Sequence, residues 1–463
     1  MASTYPVTIS ANAEAAQTGA RAARAAASRS GASRYTKWAI ALFFVVLFVP
    51  GSFYVGVRMT PFRLYLILMA LPMVLRFRAD PTVRITLVDV LVFLAIAWRS
   101  LALLVNHQAS EILNAGASFI ELFFAYLLGR VFVRSAEDYR FFFRCFLVLL
   151  VALLPFALLE LVTYTRVLRR VFGIFLAQPV EVISGPAIRF GLMRVQASFD
   201  HAVLFGLICS IGFANLFYIY HGKFFRRMSY TGFAGFMTLL AISSSSMLAL
   251  VIQVGLIGYE IVLRRLWAKW FLLGSAVIFF LLSFEIIFSM SIGDYIATEL
   301  ALNQAGAETR LDQIYYGLKE VYRYPVFGIG LNTPALPFWR SDIFDNFWLY
   351  TAVRFGLPSL GFIAGAFGLH FLYIVFQRSD DVDYAMLRRG YAIALAATIV
   401  LIGSIPLWGS ALVFVMAYFG AGAWFYDRPR GALDGRLAAP PRERGRPASA
   451  APARPARAAR PSR

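Results

Sequence analysis

Apolar residues fall in long, nearly unbroken blocks, and polar residues are confined to the gaps between them. The blocks approach ~20 residues, the length at which an α-helix crosses a ~30 Å hydrocarbon core. About twelve spans are expected. Eight are read at 38–57, 61–76, 86–105, 114–133, 141–162, 201–220, 270–290 and 355–376. Two closely linked pairs, 229–243 with 247–263 and 391–406 with 408–425, are either full spans or partly re-entrant. The expected fold is an all-α polytopic membrane protein. A membrane β-barrel would instead show ~10-residue segments of alternating polarity. No internal repeat relates the two halves, as one does in many secondary transporters.

The stretch 291–354 breaks this pattern and is expected to form a large outer loop. Within it, Glu308 to Tyr324 predicts an amphipathic helix against the outer surface of the bundle. Leu311, Ile314, Tyr315, Leu318, Val321 and Tyr322 follow helical spacing along one face. Asp312, Gln313, Lys319, Glu320 and Arg323 face the other way. Thr309 is the expected N-cap, with Asp312 as its partner three residues on. Pro325 stops the helix, and Pro325-Val326-Phe327-Gly328-Ile329-Gly330 follows. Asp345-Asn346-Phe347-Trp348-Leu349 then opens a short apolar helix, interrupted by Gly356-Leu357-Pro358.

Composition agrees with the class. Sixty per cent of residues are apolar and 15% are charged, against about half and a quarter in soluble domains. Of the net charge of +19, +11 lies in two tails. Residues 1–37 carry five cations against Glu14, and residues 427–463 carry ten arginines against three carboxylates. Both tails are rich in Ala, Ser, Pro or Arg and are expected to be disordered and cytoplasmic. The membrane domain then runs over 38–426. Solvated basic tails that fix orientation and touch anionic lipid account for this charge better than nucleic-acid binding does. The first apolar run lacks a small-residue cleavage site and reads as a retained span. Cys145 and Cys209 both fall inside spans, far from any disulfide or metal-site spacing.

With the N-terminus inside, Lys and Arg fill the short inner loops and are missing from the outer connections 106–113, 244–246 and 406–408. Two outer segments depart from that rule. Residues 163–200 hold Arg166, Arg169, Arg170, Arg189 and Arg194, and residues 291–354 hold Arg310, Lys319, Arg323, Arg340 and Arg354. Either they bind an anion at the outer surface, or long translocated loops are exempt from the rule.

Arg310 falls in the expected first helical turn, where free backbone N–H groups already favour an anion. Its planar fork suits phosphate oxygens, though pairing with Glu308 or a lipid headgroup would also occupy it. Asp345 is either a general base facing a bound hydroxyl or the N-cap of the helix it precedes. His201, beside Asp200 at the mouth of a span, is an alternative acid or base, or only an interfacial residue. Arg99 and Glu121 lie at matched depth in neighbouring spans and are expected to pair, most simply as a structural lock. Asp89, Glu160 and Glu285 stand singly within spans. No Walker-type loop, His-Glu-x-x-His pattern or soluble nucleotide-sugar domain is present, so a donor already in the membrane is expected.

Several of these motifs together resemble the bacterial O-antigen ligase and polymerase superfamily. They are Arg310 on its amphipathic helix, Tyr324-Pro325-Val326-Phe327-Gly328-Ile329-Gly330, Asp345-Asn346-Phe347-Trp348-Leu349 and Gly356-Leu357. Met59 to Leu66, Arg189 to Arg194 and Ser198 to His201 look similar to other parts of that family. The likeness covers roughly 38–425 in layout, and its diagnostic motifs fall within about 230–365.

The resemblance implies a glycosyltransferase at the outer face of the bacterial inner membrane, with both termini cytoplasmic and no metal or cofactor. The donor would be a glycan on undecaprenyl diphosphate, and other polysaccharide-assembly proteins would be partners. On this reading Arg310 holds the leaving diphosphate and Asp345 takes the proton of the incoming hydroxyl. Two departures stand out. Many members carry His where this chain has Asp345, which points to a secreted-polysaccharide branch. Many also carry Ser-Arg-Gly at the turn where this chain has Ser243-Ser244-Ser245-Ser246-Met247, and Arg189 or Arg194 is expected to supply the missing cation. The expected function is polymerisation of lipid-linked repeats. The alternatives are ligation to lipid A core and, in another class, a lipid-linked glycan flippase or transporter.

Overall fold

The computed structural model describes residues 34–80, 83–178, 188–263, 265–266, 269–288, 304–336, 344–377 and 379–427. Both tails, apart from Arg34–Lys37 and Asp427, lie outside this set, as do 291–303 and 337–343 of the expected outer loop. Among the described residues the fold is all-α save for two short hairpins. Seven helical segments are long and apolar enough to cross a membrane: Leu87–Phe132, Ala136–Thr163, Ala202–Ile219, Ser244–Val262, Phe347–Val375, Val382–Leu401 and Gly409–Asp427. The chain is a multi-pass membrane protein.

The helices in order are α1 (Arg34–Phe48), α2 (Pro61–Ala79) and α3 (Leu87–His107). A broken helix follows: α4 (Ile112–Phe119), a π turn at Ile120–Phe124, and α5 (Ala125–Phe132). Next come α6 (Ala136–Thr163), the short α7 (Val167–Phe172), α8 (Ala202–Ile219), α9 (Phe224–Leu239), α10 (Ser244–Val262) and α11 (Lys269–Phe288). The last are α12 (Gln304–Arg323), α13 (Phe347–Val375), α14 (Val382–Leu401), α15 (Gly409–Ala421) and α16 (Trp424–Asp427). Hairpin β1–β2 (Phe53–Val55, Val57–Met59) follows α1, and β3–β4 (Ile188–Arg189, Leu192–Met193) precedes α8.

Helices α8 and α15 are buried along almost their whole length and form the centre of the bundle. Small residues bring α15 against α5: a Cβ on Gly129 would overlap the Ala417 carbonyl, and one on Gly420 the Tyr126 carbonyl. Such small-residue contacts suit a bilayer, where close packing between helices replaces the hydrophobic drive.

Several boundaries differ from expectation. α1 begins at Arg34, inside the expected basic tail, and Asp427 is buried rather than part of a solvated one. The amphipathic helix starts at Gln304, so Thr309 is interior and not its N-cap. Ala305, Ala307 and Glu308 are good helix formers that extend it backwards. Its faces also differ. Gln313, Gly317, Glu320 and Val321 turn inward, while Ile314, Tyr315, Leu318 and Tyr322 are exposed.

The expected Arg99–Glu121 pair is replaced by another. Glu121 sits in the π turn and binds Arg63 of α2 at 2.8 Å. The Arg99 guanidinium lies 4.2 Å from the centre of the Phe355 ring, within electrostatic reach of Glu121. An added residue per turn in the π segment re-aims its side chains, which matched depth on two regular helices does not anticipate.

Candidate active site

One end of the bundle gathers the expected site residues. There α13 carries a break that organises the rest. Gly356 has φ +83°, outside the helical range, and Pro358 has no N–H to offer. Three backbone groups of α13 are therefore released, and the Pro325–Gly330 turn takes them up. Ile329 N donates to Val353 O (2.9 Å), Gly330 N donates to Arg354 O (2.9 Å), and Leu357 N donates to Pro325 O (2.7 Å). Satisfying such groups within the protein is what makes a broken helix tolerable at membrane depth.

Side chains lock the same turn. Trp98 Nε1 donates to Val326 O at 3.1 Å, and its ring stacks on Phe327 with 5.2 Å between centroids. His107 Nε2 accepts from Leu331 N at 2.7 Å. The Arg354 guanidinium donates to Gly330 O and Asn332 O. The glycine-rich motif is thus a plug between α3 and α13 that fixes the end of α12.

Asp345 is not the cap of α13. Asn346 is, accepting from Trp348 N (2.9 Å) and Leu349 N (3.0 Å). The Asp345 carboxylate is thereby released from helix duty. Its backbone N–H donates to Gln313 Oε1 of α12 at 2.9 Å. Burial raises the carboxyl above its ordinary range, opposed by the Arg310 charge and a hydrogen bond from Gln313. Arg310 and Gln313 stand one turn apart on α12; Gln313 hydrogen-bonds Asp345, and Arg310 acts on it through its charge.

Arg310 also ties to the second basic segment. Burial pulls Arg194 down to about 10, with the neighbouring charges of Arg189 and Arg310 adding to that shift. Arg189 Nη1 approaches Ile242 O and Arg194 Nε approaches Ala241 O, each at 3.4 Å. Both arginines therefore lie at the turn leading into Ser243–Met247. The expected help from helix-terminal N–H groups is absent, because Arg310 is the seventh residue of α12 and not in its first turn.

His201 is the N-cap of α8, its Nδ1 accepting from Val203 N at 3.2 Å. Burial, with Arg194, Arg166 and Arg189 adding positive charge, pulls it down to about 4. It is neutral at pH 7, and its proton exchange is moved out of the neutral range.

Three further residues support the site in roles that the sequence pattern does not assign to them. Glu160, buried on α6, accepts from Gln196 N (3.3 Å) and Ala197 N (2.9 Å). Arg169 of α7 donates to Phe199 O (2.5 Å) and pairs with Asp200 (3.1 Å). Together they pin the loop that carries Arg194 and His201. Gln313, which the spacing puts opposite the apolar stripe, is buried and bonds to Asp345 N. The signal for Glu160 was its isolation in an apolar span, but its partners are backbone amides, which no residue letter reveals.

No family model matches the chain, and no curated protein sequence matches it.

Proposed function

We propose that the chain is a membrane glycosyltransferase that uses a lipid-diphosphate-linked sugar as donor. More specifically, we read it as a polymerase that extends undecaprenyl-diphosphate-linked repeats into a surface or secreted polysaccharide. The observation that carries this reading is a run of neighbouring charges: Arg194 feels both Arg189 and Arg310, and Arg310 in turn acts on the half-buried carboxylate of Asp345. Neighbouring like charges disfavour one another, and a multiply charged anion relieves this. Guanidinium forks match phosphate oxygens. The motif likeness to the O-antigen ligase and polymerase superfamily supports the same chemistry, and the two arginines beside the Ser243–Met247 turn stand close to where that family carries its own.

In the proposed step an acceptor hydroxyl attacks the anomeric carbon of the donor glycan. The new C–O bond forms as the bond to the diphosphate oxygen breaks, and the lipid diphosphate departs carrying the negative charge. The hydroxyl proton passes to the Asp345 carboxylate. Arg310, Arg194 and Arg189 hold the diphosphate while its charge grows, the type of electrostatic aid that dominates many transfer reactions. In this reading the described helices belong to a bundle of about twelve spans. The site end then faces the outer side of the bacterial inner membrane, and both tails lie in the cytoplasm.

The test is reconstitution of the full chain with lipid-linked oligosaccharide, comparing wild type with Arg310→Ala. Long glycan on the lipid, lost in the variant, is the expected result. Transfer to lipid A core would make the protein a ligase. Movement of the lipid across the bilayer without bond formation would make it a carrier and end the enzyme reading.

A further inference from the structure

α12 carries three faces and not two. Gln313, Gly317, Glu320 and Val321 face the protein, and Lys319 and Arg323 form a basic edge. Between these lies an apolar stripe of Ile314, Tyr315, Leu318 and Tyr322, from 40% exposed at Ile314 to 83% at Tyr322. At 100° per residue the stripe stands roughly a third of a turn from the buried face. The inward contacts of α12 therefore do not cover it.

Two observations say what does. The stripe continues past the end of the helix through Tyr324 and Val326 to Leu357, all exposed. Leu357 lies on α13, itself long and apolar enough to cross a membrane. The stripe is thus continuous with a surface that lipid covers. Its edges also match a bilayer boundary: Lys319 Nζ sits 4.1 Å from the Tyr315 ring centre and 5.5 Å from that of Tyr316. Tyrosines and basic side chains with long stems gather where acyl chains meet headgroups.

We infer that α12 is an interfacial helix, with its Ile314–Tyr322 stripe seated in the acyl boundary of the bilayer and Lys319 and Arg323 at headgroup level. An amphipathic helix with an apolar face and a basic edge adopts this position on a lipid surface. Arg310 stands one turn before Ile314, so the helix holds its guanidinium at the depth of lipid phosphates. The inference concerns lipid contact and stands whether or not the chain transfers sugar.

Nitroxide labels on single cysteines test it in the full-length chain with Cys145→Ser, since Cys209 is buried. Leu318→Cys, Tyr322→Cys and Lys319→Cys are labelled in nanodiscs of phosphatidylethanolamine and phosphatidylglycerol. Collisions with oxygen, which concentrates in lipid, are compared with those of a water-soluble nickel chelate. Oxygen should dominate at 318 and 322, and the chelate at 319. Chelate dominance at 318 and 322 would put the stripe in water and overturn the inference. Exclusion of both reagents there would mean a protein surface, such as a second copy, covers it, and would overturn it equally. As a second measurement, Tyr322→Trp adds fluorescence that chain-brominated lipid should quench, and no added quenching relative to the unsubstituted chain counts against the inference.

Discussion

Asp345 holds its proton more tightly than a free aspartate because burial disfavours its charged form. Between the ordinary value and the raised one, the folded chain keeps a proton that the unfolded chain has lost. Stability therefore falls as pH rises through that window and stays lower above it. Asp345→Asn removes this cost and leaves the Asn346 cap in place. Its thermal midpoint at pH 7 should equal or exceed that of wild type, while the proposed glycosyl transfer should fall by about 10²–10⁴, the usual worth of a general base. A lower midpoint with transfer intact would assign Asp345 to structure. His201 works with the opposite sign. Its folded value of about 4 lies below the ordinary 6.5, so the unfolded chain binds the extra proton between them. Stability should fall as pH drops through that range. His201→Asn keeps a capping side chain and should flatten this dependence in thermal melts from pH 4 to 7. Arg310, Arg194, Arg189 and Asp345 were legible in the sequence as polar residues outside apolar runs. That Asp345 is not the cap was not legible, because Asp and Asn are both good caps and stand side by side.

The plug and the broken helix depend on one another. Gly356 has φ +83° and ψ 171°, a region open essentially to glycine alone. A Cβ there would also overlap the Val326 carbonyl, which belongs to the plug. Gly356→Ala should cost about 1–3 kcal/mol for the backbone and more for the overlap. It should also reduce transfer, because α12 is fixed through this turn. Thermal unfolding in nanodiscs, with transfer assayed at a temperature where the variant stays folded, separates the two effects. The sequence shows this break plainly, since Gly and Pro two residues apart cannot continue a helix unchanged. It does not show which way α12 faces. Periodicity locates an apolar stripe, and in a soluble protein that stripe would turn to the core. In a bilayer both protein and lipid accept apolar side chains, so the pattern fixes the stripe and not its partner. On α12 the buried face instead carries Gln313 and Glu320, and Glu320 binds Arg323 at 3.0 Å.

Arg189 and Arg194 at the site end are held differently from the arginines at the other end of the bundle. Away from the site, arginines tie helices together through carboxylates. Arg130, fully buried on α5, binds Asp89 of α3 at 2.8 Å and also Asp427 of α16. Arg134 joins Asp427 at 2.6 Å, Arg140 pairs with Asp383, and Arg389 reaches Glu260 at 2.9 Å. At the site end, Asp200 is committed to Arg169 and Glu160 to backbone amides, while Arg189 and Arg194 lean on carbonyls. The same residue type should therefore answer to substitution in opposite ways. Arg130→Ala leaves the buried Asp89 without its cation and Asp427 with Arg134 alone, and breaking a buried pair in this way costs about 3–5 kcal/mol. It should lower the thermal midpoint strongly and remove transfer only as the fold is lost. Arg194→Ala removes one of several crowded like charges. Its midpoint should be unchanged or higher, with transfer lost at all temperatures. If Arg194→Ala melts early instead, the arginines at the site end are holding the loop on Ala241 and Ile242, and the anion site must be sought elsewhere.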